Sequence, residues 1–383
     1  MKKAEHTTLQ SAYQEYLDAF ERLHQQPVFG LTSADKQTYL LPALNALHRH
    51  HQTQCSVYAN ITQSSHQREM IDCQKLSELD FLAVRLFKLM KLSSIAAEDA
   101  FKTLQSSGTT SQVTAKVVLD KETSQRQSKV LVAIMQQILG KARLPMLIID
   151  AKSTVQDRSK FNARAAGIQG LAFFGREHTY ALNDNMQPDW AVIDEFCERH
   201  KGKPVLVFGF TFMVWQYFVS ALETMGKSIE LPTATLIHSG GWKKLDAEKV
   251  DNEAFKQRVK LSTGISQIHN FYGMAEQVGS VFVECQNGYL HAPSYADIVI
   301  REPLDLSVSP MGKQGIIQVV SAVASSYPGH SLLTEDIGTL YGEDDCGCGW
   351  NGKYFSVTER LPRSEVRGCS DTHTKLNGAA DEQ

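Results

Sequence analysis

Four short stretches of this 383-residue chain carry residue types suited to phosphate and carboxylate chemistry. The run Ser106, Ser107, Gly108, Thr109, Thr110 sets hydroxyls and backbone N–H groups in a row, as a phosphate-holding loop requires. The same residues make an ordinary surface turn, and taken alone the run fits a turn better. The stretch HSGGW (238–242) ends a strand pattern with Gly240 and Gly241. Glycines there either let a flat ligand approach the backbone or simply turn the chain tightly. The stretch NFYGMAE (270–276) places Tyr272 beside Gly273 and the carboxylate Glu276. A tyrosine ring can stack on a purine, and a carboxylate can hold Mg²⁺ against phosphate oxygens. The stretch LLTEDIG (332–338) sets Asp336 within an apolar strand, placed to accept hydrogen bonds from a ribose diol.

A second set of residues suggests a metal. Of seven cysteines, Cys285 shares a short loop with His291, and Cys346 and Cys348 lie one residue apart in a Gly-rich segment. Together they form a Cys₃His set suited to tetrahedral Zn²⁺ with no open position, hence a structural ion. The alternative is a Gly-rich turn beside an unrelated strand histidine. Cys55, Cys73 and Cys197 fall in helical patterns and read as core filler. His238, Phe208, Phe210, Phe212 and Trp215 either line a ligand pocket or pack in the core, and core packing is the default for such an aromatic cluster. The run HRHH (48–51) ends a helix, where cations are favoured, and is not read as a metal site.

These residues need elements to hold them. Residues 1–100 read as mostly helical, with residues 33–51 starting at a Ser cap and residues 75–90 repeating the helical pattern. Apolar runs at 145–150, 203–210 and 234–241 alternate with helical segments such as 189–202, which predicts an α/β domain with a largely parallel sheet. From Val278 onward the texture is that of β-hairpins. The uncharged stretch 204–222 approaches membrane-span length, but a buried strand followed by a buried helix fits it better. A net charge of −3 without a basic patch gives no expectation of nucleic acid as a partner. With no signal peptide or membrane span expected, the chain is expected to be soluble and cytoplasmic.

The order of the stretches SSGTT, SGGW, NFYGMAE, TEDIG and ERLPRSEVRG resembles the adenylate-forming superfamily over about residues 27–372. Within it, the chain is most similar to the acyl-protein synthetase (LuxE) family, with phenylacetate–CoA ligases as near relatives. The resemblance implies a large adenylating α/β domain: a helical region at 1–100, an adenylating core with a β-rich distal part at 101–358, and a short segment at 359–383 without the mobile lid domain. It implies that Ser106, Ser107, Gly108, Thr109 and Thr110 embrace the β- and γ-phosphates of ATP. Gly240 and Gly241 would line the adenine and acyl pocket, and Tyr272, beside Gly273, would stack on adenine. Glu276 would hold Mg²⁺, Asp336 the ribose, and Arg360 would begin the hinge. Glu359 stands where the superfamily usually has glycine, which leaves Arg360 open to pairing with its neighbour. Cys369 matches the cysteine that becomes acylated and hands the group to an acyl reductase partner, with Arg363, Arg367 and His373 nearby to favour thiolate. Some phenylacetate–CoA ligase relatives hold zinc at positions matching Cys285, His291, Cys346 and Cys348. The expected activity is ATP-dependent activation of a carboxylic acid, such as a fatty acid. Its rivals are a ligase for CoA or a carrier protein, and a non-catalytic nucleotide-binding subunit.

Overall fold

The structure is a computed structural model describing residues 2–65, 72–105, 114–156, 163–242 and 248–361. Three helices open it: α1 (Lys2–His24), α2 (Ser33–Gln54) and α3 (Ser56–Ser65). On α1, Tyr16, Ala19, Phe20 and Leu23 recur at helical spacing and are all buried, so one stripe faces the core. A Thr32–Asp35 capping box starts α2 by satisfying N–H groups that its first turn leaves unpaired.

Residues 75–90 depart from the expected helix. They form a 3₁₀ turn (Leu76–Glu78), strand β1 (Leu82–Ala83) and the single turn α4 (Leu86–Leu89). The reason lies in packing. Leu76 and Leu79 are buried in the cluster under α1 and α2, whereas Leu82 and Phe87 are buried in another beneath the antiparallel strands. One straight helix cannot serve both clusters.

A hairpin follows, β2 (Lys102–Gln105) with β3 (Lys116–Leu119), and then α5 (Lys121–Leu139), capped by the Asp120 side chain. The alternating part comprises β4 (Leu144–Ala151), α6 (Ser153–Gln156), α7 (Ala163–Ala172), β5 (Gly175–Leu182), α8 (Trp190–Arg199) and β6 (Val205–Phe210). A helix then runs through α9 (Thr211–Val214), a π segment at Trp215–Val219 and α10 (Ser220–Thr224). Next come β7 (Ala234–Ser239), α11 (Asn252–Thr263) and β8 (Gln267–Tyr272). The last strands are β9 (Phe282–Glu284), β10 (Leu290–His291), β11 (Ala296–Arg301), β12 (Gln314–Ser321), β13 (Ser331–Glu343) and β14 (Lys353–Arg360).

The main sheet runs in the order β11-β12-β13-β14-β10-β9-β8-β7-β6-β4-β5, with β1 pairing on β13 off this path. Pairing is parallel from β5 to β8, as the strand–helix alternation predicts, and antiparallel from β8 to β11. Strands β4, β6 and β7 read as continuous apolar runs because helices cover both faces. Met146, Ile148 and Phe208 face α1, α2 and α5, while Leu147, Ile149 and Val207 face α8, α10 and α11. Each such buried side chain contributes about 1.5–3 kcal/mol relative to exposure. The stretch 204–222 is a buried strand running straight into a buried helix, and Gly209 lies within the strand. Among the described residues, no helix is long and apolar enough to cross a membrane.

Candidate active site

Open α/β sheets bind ligands beyond the carboxyl ends of their strands. There, β7 runs into Gly240 and Gly241, and β8 ends at Tyr272. Gly240 has φ +81°, a left-handed conformation that side chains resist, and a Cβ there would press on the Phe210 ring at 3.1 Å. Gly241 has open space around its Cα. Gly273 is exposed, and Glu276 follows in a 3₁₀ turn, Ala275–Gln277.

Tyr272, at the end of β8, meets Asp336 of β13. The tyrosine hydroxyl donates to Asp336 Oδ2 at 2.7 Å, and its ring lies beside the Phe282–Phe355 pair, with centroids at 6.0 and 6.4 Å. Burial, followed by the Asp336 charge and bond, raises the Tyr272 pKa well above the ordinary phenol value. Opposite Asp336 in the β13–β14 register stands Arg360. Its Nε lies 3.9 Å from Asp336 Oδ1, and its Nη2 donates to Glu335 Oε2 at 3.1 Å. Arg360 therefore pairs with β13. Glu359 pairs in register with Ile337, and alternation along the strand turns successive side chains to opposite faces. Glu276 is only 7% exposed, and no described side chain hydrogen-bonds or ion-pairs with it. Burial raises its pKa above the usual carboxylate value, opposed by the charges of Lys88 and Arg360. A cation at Glu276 would offset that burial, so the residue fits a metal-binding carboxylate.

The cysteine–histidine set also assembles. Ligand atoms of Cys285, His291, Cys346 and Cys348 all lie within 4.8 Å of one another. Cys285 Sγ and Cys346 Sγ are 3.8 Å apart, and Cys348 Sγ is 3.4 Å from His291 Nε2. Tetrahedral zinc with bonds of about 2.3 Å to sulfur sets its sulfurs about 3.8 Å apart, so these side chains fit such an ion. Burial opposes ionisation of Cys285, but hydrogen bonds from His291 and the loop backbone outweigh it and bring the thiol to about 7. Burial together with the Cys285 charge raises Cys346 and Cys348. His291 Nδ1 is buried without a partner among the described residues, so the backing hydrogen bond common behind zinc-bound histidines is not made by them.

Other expectations resolve in various ways. Ser106, Ser107, Gly108, Thr109, Thr110 and Cys369 lie outside the described residues, as do Arg363, Arg367 and His373. The strands flanking the Ser106–Thr110 run pair as a hairpin. His238 is buried, with Nδ1 2.9 Å from Thr211 Oγ1 and its ring against Phe255, and burial lowers its pKa to about 4. Phe208 and Trp215 are core residues. Cys55 is buried at the end of α2, while Cys73 lies in an irregular segment, not a helix. The histidines ending α2 do not act as exposed cations: His50 and His51 are buried, and burial lowers the pKa of both.

Arg85 and Glu335 were not singled out by motif. Arg85 Nε lies 3.7 Å from Glu335 Oε1, joining the segment before α4 to the Arg360 pair. Glu335 adjoins Asp336 in TEDIG and was visible locally, but Arg85 carries no local signal.

The family model described as acyl-protein synthetase, LuxE, matches residues 23–376. A curated Vibrio harveyi protein named long-chain-fatty-acid–luciferin-component ligase is 23% identical over 178 residues, 45% of each chain, so the match spans less than half of that relative. Among solved structures, 2-hydroxyisobutyryl-CoA ligase in an open conformation with 2-HIB-AMP and CoA aligns with TM-score 0.62 and 14% identity, covering 87% of this chain and 74% of that one. The same ligase in its thioesterification state gives TM-score 0.65 and 12% identity, covering 87% and 70%. These structures establish that the fold is that of an adenylate-forming ligase. With the family match extending over most of its length, the chain belongs to the acyl-protein synthetase (LuxE) family.

Proposed function

We propose that the protein activates a carboxylic acid, such as a fatty acid, with Mg-ATP, forming acyl-adenylate and pyrophosphate. The acyl group then passes to the Cys369 thiol and on to an acyl reductase partner. The observation that carries this reading is the convergence of Tyr272, Glu276, Asp336 and Arg360 at one end of the sheet in a chain of this family. Adenylation is attack by the acid's carboxylate on the α-phosphate, with pyrophosphate leaving, and its catalysis consists largely of positioning and charge neutralisation. In this reading the Tyr272 ring flanks adenine, Asp336 takes the ribose hydroxyls, and Gly240 and Gly241 admit the flat nucleotide. Gly273 lets the chain pass close to Val281 on its way to Glu276, and Ser106, Ser107, Gly108, Thr109 and Thr110 hold the outer phosphates. Mg²⁺ held by Glu276 would neutralise phosphate charge.

The acceptor assignment has geometric support. Leu361 N donates to Glu335 O at 2.8 Å, so the chain leaves β14 beside Asp336. Cys369 follows eight residues later, and an extended chain of that length reaches about 28 Å at most. In this reading that length of chain lets the Cys369 thiol meet an adenylate held beside Asp336. Domain boundaries at about 100 and 359, and a cytoplasmic location, belong to the same proposal. We also assign a structural Zn²⁺ to Cys285, His291, Cys346 and Cys348, on the fit of their spacing to a tetrahedral ion.

The test is a panel of labelled carboxylic acids with Mg-ATP, applied to the intact protein and to Cys369→Ala. Pyrophosphate from both, with denaturant-resistant, hydroxylamine-labile label on the intact protein only, is the expected result. Pyrophosphate without bound label points to a soluble acceptor such as CoA. Bound nucleotide without pyrophosphate from any acid overturns the enzyme reading in favour of a nucleotide-binding subunit.

A further inference from the structure

The segment before α4 lies along the strand that carries Asp336. Leu82 and Ala83 pair in parallel with Leu332 and Leu333, and Val84 N donates to Leu333 O at 2.9 Å. Continuing in step, Arg85 reaches Glu335 at 3.7 Å. The α4 turn then brings Lys88 round, its N–H bonded to Arg85 O at 3.0 Å. Leu86 and Phe87 of this turn pack in the same cluster as Leu104 and Val117 of the β2–β3 hairpin and Met274 and Val278 around the Glu276 turn. The α4 turn therefore shares one apolar cluster with the hairpin and with the residues flanking the Glu276 turn.

Lys88 is half-buried, and no salt bridge or side-chain hydrogen bond joins it to another described residue. Its charge and that of Arg360 both act against the burial that raises the Glu276 pKa. Glu276 likewise has no side-chain partner among the described residues. A polyanion chelated with a metal suits such a pair, because the carboxylate binds through the metal and the ammonium binds directly as a point charge.

We propose that Lys88 binds the β- and γ-phosphates of ATP, opposite the metal held by Glu276, so that a cation from the N-terminal region serves the triphosphate. This inference rests on the adenylation reading above. The β1 pairing on β13 holds the segment in place, and Arg85 beside Glu335 is a positioning residue.

The test is direct titration of the full-length protein with Mg-ATP and with AMP, for wild type, Lys88→Gln and Lys88→Arg, with thermal unfolding as a check on folding. Lys88→Gln is expected to weaken ATP binding about tenfold or more, the usual scale for losing a charge-assisted phosphate contact, leave AMP binding unchanged, and be largely rescued by Lys88→Arg. Equal ATP affinity in wild type and Lys88→Gln overturns this inference and leaves the adenylation reading intact. Parallel loss of ATP and AMP binding also overturns it, since that marks a general structural effect. A wild-type protein that binds neither nucleotide overturns the adenylation reading, and this inference with it.

Discussion

Tyr272 and Asp336 lie far apart in sequence, yet each was legible as a candidate from its own neighbours: an aromatic followed by glycine in one case, an acid in an apolar strand in the other. Their contact was not legible, because it depends on β8 and β13 approaching the same place from different parts of the sheet. The contact sharpens what each atom can do. Asp336 Oδ2 accepts from the tyrosine, while Oδ1 faces Arg360 at 3.9 Å and remains able to accept from a diol. Removing the hydroxyl should therefore matter less than removing the carboxylate. Tyr272→Phe is expected to hold ATP affinity within about threefold and to cost about 1 kcal/mol of stability, the usual net value of one hydrogen bond. Asp336→Asn is expected to lower ATP affinity about tenfold, the scale of a hydrogen bond to a charged group. Nucleotide titration of the two variants decides the matter, and equal losses would assign the hydroxyl, not the ring, to the site.

At the scale of elements, the end of α2 behaves unlike its sequence pattern. Helix C-termini favour cations, but this one is packed against α3 and the start of β13. His51 stacks on His330 at 5.1 Å and bonds Ser94, while Tyr58 bridges His48 and His330. Sequence cannot reveal this, because which face of α2 is covered depends on His330, at the start of a strand far along the chain. Burial, reinforced by the neighbouring imidazoles, lowers the pKa of His51 and His330 well below that of a free histidine. Burial also lowers His48 and His50, against the partly compensating charges of Asp80 and Asp120. The sign follows. The unfolded chain takes up protons first as pH falls, so the stability from these neutral imidazoles is full above about 6.5 and is lost progressively below it. The melting temperature should fall between about pH 7 and 5, and less steeply in His330→Asn, which removes one titrating ring. Parallel pH slopes for the two proteins would refute this account of the cluster.

Over the whole molecule, the alternation of strands and helices was legible because covered parallel strands must be apolar throughout, whereas the path of residues 75–90 was not, since two separate clusters compete for it. The Cys₃His set shows the same limit one step further on: the ligand types, and a tie between the hairpin after Glu276 and the loop after Asp336, were legible, but not the join of that loop to the entry of α2. Trp350, two residues past Cys348, stacks on Phe29 at 4.0 Å, and Asn351 bonds both Phe29 O and Gly30 O. Asp344, on the other side of the cysteines, accepts from Ser33 N at the start of α2. An ion here would fasten the β13–β14 connection to β10, and through Trp350 to the entry of α2, joining the helical region to the antiparallel strands. Because such an ion binds the folded chain far better than the unfolded one, its affinity adds to stability. The protein as purified is therefore expected to carry about one zinc per chain by elemental analysis. Chelation is expected to lower the melting temperature and shift Trp350 emission, and Cys348→Ser to reproduce both changes while leaving AMP binding intact. A metal-free protein that neither takes up zinc nor gains stability with it would leave the three thiols as an ordinary turn, with the helical region joined to the strands by contacts such as those of Trp350, Asn351 and Asp344 and by the buried Lys36–Asp297 pair.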